Sequence, residues 1–239
     1  MNDRYIRQIT LPQIGIEGQK KLAGSSVLVV GAGGLGSPAL MYLAAAGTGK
    51  IGIVDHDVVE QSNLNRQILY GTCSLGHNKT GAAKEKLQDI NNETVIISHN
   101  TRLTGENAAA IFKDYSLVLG AVDSFETRNI INKTCVSLDI PYIDAGINGF
   151  SGYVFYSFPP ETPCLNCLFP GDANKKTGTG VFGPAAGVIG SMQAGMALGI
   201  LLGLPNHAAG RLVFYDGMRF SIDHVEVQKN PECPVCNFI

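Results

Sequence analysis

The sequence predicts an α/β fold: a Rossmann-like, mainly parallel sheet with helices on both faces, extended by antiparallel strands in the C-terminal part. Three observations carry this expectation. Up to about residue 148, short β-branched apolar runs alternate with longer segments of helical periodicity, the pattern of a doubly wound sheet. A glycine-rich turn joins the first apolar run to the first such helix. Beyond Gly149 the apolar residues recur with period two instead.

Residues 26–30 (SVLVV) form a continuous β-branched run, as in a strand covered on both faces. Residues 35–46 are rich in Ala and Leu and stop at Gly47, where a helix-terminating glycine belongs. Residues 50–55 read as the next strand, 79–90 as an amphipathic helix and 95–98 as a strand. Residues 104–113 read as a helix, 117–122 as a strand, 125–138 as a helix and 141–144 as a strand. The later strands are expected at 153–158, 211–215 and 224–228.

Between these later strands lie a turn-rich loop at 159–183 and an apolar stretch at 184–204. That stretch is close to membrane-spanning length. Ser191 and Gln193 sit in its middle and no basic flank follows it, so a buried core or interface helix is expected, with no membrane. Gly195, Gly199 and Gly203 fall four apart and give one face that a backbone can approach closely. One domain is expected over 1–239, with a nucleotide-binding half at 1–148 and a mixed half at 149–239.

Composition narrows the class. Of 239 residues, 45% are hydrophobic and 16% are charged, against about 25% charged in typical domains, which rules out intrinsic disorder. The net charge is −2 and no Lys/Arg-rich run occurs, so nucleic acid is not expected as a partner. The first residues hold no apolar leader core, and a cytoplasmic location is expected. So sparse a charged surface points to cover by another subunit.

Gly31-Ala32-Gly33-Gly34-Leu35-Gly36 follows the first strand and opens the helix after it. Glycines there let a phosphate approach backbone N–H groups at the positive end of the helix. Asp55 ends the next strand 24 residues after Gly31, where a ribose hydroxyl would be held. On this motif alone NAD and ATP both fit. The segment Ser62-Asn63-Leu64-Asn65-Arg66-Gln67 and Lys79 then set two cations near the mouth of the glycine loop. Two cations in one place suit a triphosphate and the charge of nucleotidyl transfer. Asp123, expected at the end of the fourth strand, is a candidate Mg²⁺ ligand.

Cys164-Leu165-Asn166-Cys167 and Cys233-Pro234-Val235-Cys236 form two Cys-x-x-Cys pairs, 66 residues apart from Cys167 to Cys233. Two such knuckles make a tetrahedral Zn²⁺ site; redox or disulfide pairs are the alternatives. Four thiolates leave no open position for water, so the expected metal is structural. Cys73 and Cys135 read as packing residues.

Together these residues resemble the MoeB/ThiF/HesA enzymes, relatives of the ubiquitin-activating enzymes. The resemblance rests on Arg4-Tyr5-x-Arg7-Gln8, Gly31–Gly36, Asp55-His56-Asp57, Ser62-Asn63-Leu64-x-Arg66-Gln67, Lys79, Asp123, both Cys pairs and Gly183-Pro184. It implies ATP-dependent adenylation of the C-terminal glycine carboxylate of a ubiquitin-like sulfur-carrier protein of the ThiS or MoaD type. The carrier would end in Gly-Gly and serve thiamine or molybdopterin biosynthesis.

The resemblance also assigns roles. Asp55 matches the ribose-binding acid; Gly31, Gly33, Gly34, Gly36, Asp57, Asn63, Arg66, Gln67 and Lys79 fall in the ATP site. Asp123 matches the Mg²⁺-binding catalytic acid. Arg7 matches an arginine that reaches the neighbouring subunit's phosphates, which implies a homodimer.

Many relatives carry a cysteine in the loop before the last helix, where this chain reads Lys175-Lys176-Thr177-Gly178-Thr179-Gly180-Val181. The implied reaction therefore stops at the acyl-adenylate, which an external sulfur donor, such as a cysteine desulfurase persulfide, would attack. The alternatives are adenylation of another carboxylate or a nucleoside substrate, or a non-catalytic dimeric scaffold.

Overall fold

Alternation along β1 (Ser26–Val30) explains the two-sided architecture. Val27 and Val29 join one buried cluster, whereas Leu28 and Val30 join a second on the opposite face. A strand buried on both sides must be apolar at every position. The computed structural model describes residues 3–170, 180–205 and 208–237.

Strands β2 (Lys50–Asp55), β3 (Val95–Asn100), β4 (Leu117–Gly120) and β5 (Tyr142–Asn148) run parallel with β1. Strands β6 (Ser151–Ser157), β7 (Arg211–Asp216) and β8 (Ser221–Glu226) continue the sheet antiparallel. The order is β3-β2-β1-β4-β5-β6-β7-β8, one sheet of eight strands spanning both halves of the chain. The chain runs outward from β1 to β3 and then returns to β4 on the other flank of β1. The crevice beyond the carboxyl ends of β1 and β4 is thus the topological switch point, where such sheets bind ligands.

One face carries α3 (Gly36–Ala45), α4 (Lys79–Ile90) and α8 (Gly183–Leu202), packed through Leu40, Leu43, Leu87 and Ile189. The other carries α5 (Ala108–Phe112), α6 (Phe125–Ser137) and the short α7 (Leu165–Leu168), through Phe112, Ile131 and Leu165. Gln193, in the middle of α8, donates to the carbonyls of Gly120 and Ile143 (both 2.9 Å), so the helix is bonded to β4 and β5. Although α8 is long and apolar enough to cross a membrane, it packs on this sheet and on α3 as a core helix.

Several boundaries differ from expectation. Two N-terminal helices, α1 (Ile6–Ile9) and α2 (Gly15–Ala23), were not foreseen. The helix expected at 104–113 is only α5, because Thr104 and Asn107 bond each other's backbone N–H and hold a turn. β5 runs on to Asn148 because β6 pairs with its full length. β8 begins and ends before the expected 224–228. β4 stops at Gly120, so Asp123 stands three residues beyond the strand.

The close approach on α8 is also not where the glycine spacing put it. A Cβ on Gly190 would lie 2.3 Å from the Leu35 carbonyl, so α3 packs there. Cβ atoms on Gly195 and Gly199 would meet nothing within 4 Å among the described residues. Gly203 instead ends the helix at φ +75. The basic loop at 171–179 lies outside the described residues.

Candidate active site

The turn after β1 is locked by backbone geometry that only glycine provides at two positions. Gly31 has φ +95, and a Cβ there would sit 2.5 Å from the Ala121 carbonyl oxygen. A Cβ on Gly36 would lie 2.0 Å from the Gly31 carbonyl oxygen. Gly33 and Gly34 are different. Their nearest neighbours would be Gln67 Nε2 at 3.7 Å, and Ala186 Cβ and Arg66 Cγ at 3.5 Å, ordinary contact distances. Among the described residues nothing requires glycine at these two positions. A cradle left bare beside a helix N-terminus is what close approach of a phosphate requires.

Asp55 ties the loop to β2: its carboxylate accepts from the backbone N–H of Ala32 (2.8 Å) and of Asp57 (2.9 Å). Lys79, the first residue of α4, is buried and points its Nζ at Asp57 Oδ2, 2.8 Å away. That hydrogen bond, aided by the charges of Lys79 and His56 and opposed by partial burial, holds the Asp57 carboxyl below its usual range. Arg66 runs its side chain along Gly34, and its Nη1 donates to the Ser62 carbonyl (2.9 Å) and to Asn65 Oδ1 (3.2 Å). Asn63 is buried and accepts from the Glu60 N–H (3.2 Å), shaping the turn that presents Arg66 and Gln67. Gln67 is buried beside Gly33 with its Oε1 unbonded among the described residues. Asp123 is exposed in the loop after β4, two residues beyond the Ala121 carbonyl that abuts Gly31. The structure thus gathers the glycine loop, Asp55, Asp57, Asn63, Arg66, Gln67, Lys79 and Asp123 at one end of the sheet.

Arg7 lies at the other end. Its neighbour Tyr5 donates to Glu93 (2.9 Å) and accepts from Asn91, which also bonds the Ala44 carbonyl (2.7 Å). Gln8 bonds the Ala46 carbonyl (3.0 Å). Asn91, Ala44 and Ala46 mark the C-terminal ends of α4 and α3, whereas the candidate site lies at their N-terminal ends. At 1.5 Å per residue α3 is about 15 Å and α4 about 18 Å long, so Arg7 does not reach the candidate site of its own chain.

The four cysteines of the two pairs converge as expected. Their sulfurs lie within 4.8 Å of one another, with Cys164–Cys167 at 4.0 Å and both Cys164–Cys233 and Cys167–Cys236 at 3.6 Å. A tetrahedron with metal–sulfur bonds of about 2.3 Å has edges near 3.8 Å, so the cluster fits zinc and is far too open for disulfides. The Asn132 amide donates to Cys164 Sγ (3.7 Å), and Asn166 donates to Cys233 Sγ (3.6 Å). Cys135 is buried, as expected, and burial pushes its thiol up. Cys73 is exposed, which corrects its expected packing role: the 72–74 turn lies on the surface.

Sequence reasoning missed Tyr70. Its hydroxyl donates to the Ala32 carbonyl (2.9 Å) and lies 3.4 Å from the Lys79 carbonyl, clamping the glycine loop to the start of α4. Burial first, then Asp55 and Asp57, push its hydroxyl up, so it stays a donor. Only the apolar run of 68–70 hinted at a buried position there. Arg128 and Asp144 were missed as well: they form a buried ion pair (2.9 Å) beneath the Asp123 loop.

A glycine turn at the switch point of a doubly wound sheet, with a four-cysteine cluster in the C-terminal half, defines an α/β protein of the doubly wound class with a candidate nucleotide site and a candidate zinc site. The chain belongs to the ThiF family, whose profile matches residues 5–235. It is 44% identical over 244 residues to the "Sulfur carrier protein adenylyltransferase" of Thermus thermophilus, covering 98% of this chain and 90% of that protein. It is 41% identical over 241 residues to the "Adenylyltransferase and sulfurtransferase MOCS3" of Aedes aegypti, covering 98% of this chain and 55% of that protein. The chain therefore spans about half the length of such MOCS3 relatives. Among solved structures, E. coli MccB with ATP superposes with a TM-score of 0.87 at 24% identity, over 99% of this chain and 75% of that one. At that identity the likeness is one of fold.

Proposed function

We propose that this chain is an ATP-dependent adenylyltransferase. Its substrate would be the C-terminal glycine carboxylate of a ubiquitin-like, Gly-Gly-ending sulfur carrier. The observation that carries this reading is the bare cradle at Gly33 and Gly34 with Arg66 and Lys79 beside it. The relatives named adenylyltransferases support the reaction class.

In this reading the backbone N–H groups of the glycine loop and the cations Arg66 and Lys79 orient the triphosphate. The carrier carboxylate attacks the α-phosphorus, the bond to the β-phosphate oxygen breaks, and pyrophosphate leaves with the electron pair. Charge that builds on the α-phosphoryl oxygens and the leaving group is met by fixed cations already in place. Asp55 holds the ribose, and Asn63, Gln67 and Asp57 line the site around it.

Asp123, a hard oxygen donor on the same rim, would hold Mg²⁺, which supplies charge neutralisation of the leaving pyrophosphate. Cys164, Cys167, Cys233 and Cys236 would hold zinc, which supplies a cross-link and no chemistry. Arg7, out of reach of its own site, would serve the site of a second copy, and the uncovered Gly195 and Gly199 offer a face for that copy. The sulfur donor is an external persulfide, and the enzyme works as one adenylation domain in the cytoplasm.

The test is ATP–pyrophosphate exchange with and without a Gly-Gly-ending carrier of the ThiS or MoaD type. Exchange that requires the carrier is the expected result. ATP binding with no exchange on either carrier would move the reading to another carboxylate substrate or a scaffold. Asp123→Ala is expected to abolish exchange while leaving zinc content and thermal stability unchanged.

A further inference from the structure

Beneath the loop that carries Asp123 lies an ion pair that packing does not explain. Asp144, third in β5 and paired with Gly120 at the end of β4, is fully buried, and Arg128, near the start of α6, is 5% exposed. Arg128 Nη1 donates to Asp144 Oδ2 at 2.9 Å, and Tyr153 Oη donates to the same oxygen at 2.8 Å. Tyr142 Oη donates to Asp144 Oδ1 at 2.5 Å. Arg128 Nη1 also bonds Tyr153 Oη, and the rings of Phe125 and Tyr153 flank the guanidinium at 5.3 and 5.7 Å. Burial works against the guanidinium charge, but Asp144 and the two tyrosines outweigh it and keep Arg128 protonated.

An ion pair taken out of water contributes little net stability compared with apolar residues of the same volume. What an apolar pair would not supply is the remaining arm. Arg128 Nη2 donates to the Val122 carbonyl at 2.7 Å, one peptide before Asp123. On the other side of Asp123, Ser124 Oγ accepts from the Thr127 N–H at 3.3 Å and caps α6. The exposed Asp123 is therefore carried on a short bridge between two fixed points, one of them reaching into the core. Glycines make room for this assembly: a Cβ on Gly120 would lie 2.5 Å from Tyr142 Oη, and one on Gly146 would lie 2.5 Å from the Tyr153 ring.

We infer that Arg128, held by Asp144, is a positioning residue that sets the Asp123 carboxylate through the Val122 carbonyl without touching substrate. The inference rests on the proposed role of Asp123. Lysine at 128 keeps a positive charge for Asp144 but, as a point donor, cannot span both Asp144 and the Val122 carbonyl.

The experiment measures carrier-dependent ATP–pyrophosphate exchange for Arg128→Lys and Asp123→Asn, with hydrogen–deuterium exchange of residues 119–126 in the ligand-free protein. For Arg128→Lys the expected result is a fall in kcat of roughly 10- to 100-fold, with KM for ATP changed less than about threefold. Faster deuterium uptake in that peptide should accompany it. Wild-type kcat with unchanged uptake, or a rise in KM alone, would overturn the inference. If Arg128→Lys does not fold, Tyr153→Phe, which keeps the ion pair and removes one donor to Asp144, takes its place. It should lower kcat in the same direction, and wild-type kcat would overturn the inference. If Asp123→Asn keeps wild-type exchange, the proposed role of Asp123 itself has failed and takes the inference with it. An inactive Asp123→Asn beside fully active Arg128→Lys and Tyr153→Phe rejects the positioning role alone.

Discussion

The ammonium of Lys79 lies 2.8 Å from Asp57 Oδ2, with the lysine side chain 6% exposed and the aspartate side chain 54% exposed. The lysine charge is thus kept at the rim of the cradle by a partner that water can reach. Because Lys79 holds the Asp57 pKa below its ordinary value, the pair stabilises the fold fully above a pH of about 4. Its contribution is lost as pH falls through the lowered value. The stability gap between the wild type and Asp57→Asn, read as urea midpoints, should be largest at neutral pH and close below about pH 4. Exposure of Asp57 limits the gap to about 1 kcal/mol. A gap that persists unchanged at pH 2.5 would show that the Asp57 charge is not its source.

The two kinds of glycine in the loop separate folding from binding. Gly36→Ala forces a Cβ within 2.0 Å of a carbonyl oxygen and should yield little folded protein. Gly33→Ala meets only ordinary contacts, so its melting temperature should stay within about 2 °C of the wild type. Its ATP affinity should nevertheless fall at least tenfold. Unchanged ATP affinity in folded Gly33→Ala would remove the phosphate from that cradle.

Tyr70→Phe deletes the hydroxyl that joins the Ala32 carbonyl to the start of α4. A lost buried hydrogen bond costs about 1 kcal/mol, or a melting shift of about 2–4 °C in a chain of this size. Calorimetry checks the shift. A larger loss in ATP affinity than in stability would show that the clamp preforms the loop.

Arg7 and Asp123 lie at opposite ends of the sheet, so if Arg7 serves the site of a second copy as proposed, variants of each should complement each other. Arg7→Ala and Asp123→Ala are each expected to be inactive in exchange. In the proposed homodimer, a randomly reassorted mixture would hold half mixed dimers, each with one site that has both residues intact, so activity should recover to about a quarter of the wild type. No recovery in a mixture shown to contain mixed dimers would exclude action in trans.

Cys164→Ser should abolish zinc binding at the proposed four-thiolate site. With the loss of about 3 kcal/mol typical of a removed cross-link, the melting temperature should fall by about 6–12 °C. Elemental analysis showing unchanged zinc would sink the four-thiolate site.

The parallel half was legible because strands buried on two faces leave unbroken β-branched runs, such as Ser26–Val30, and a glycine turn marks the first crossover. The cysteine cluster was legible because thiolate spacing is a local signal. The N-terminal helices were not, since α2 carries glycines at 15 and 18 and its packing partner lies far along the chain: Lys21 donates to the Leu202 carbonyl, 181 residues away. Asp144 was invisible as a site residue because it occurs inside an otherwise apolar strand. Its partner Arg128 sits 16 residues earlier, on a helix whose sequence gives no sign that this arginine faces inward. Tyr70 was hidden for a similar reason: its role depends on a carbonyl 38 residues away.

The two halves of the cysteine cluster stand at the beginning and end of the segment that holds α8, β7 and β8. With metal in place that segment becomes a ring rather than a length of chain. A single cut between Cys167 and Cys233 would leave two peptides still tied at one atom, and the severed piece could depart only when the metal did. For this stretch of the molecule, resistance to a nick is thus set by how tightly four sulfurs hold an ion, beyond what the sheet and helices supply.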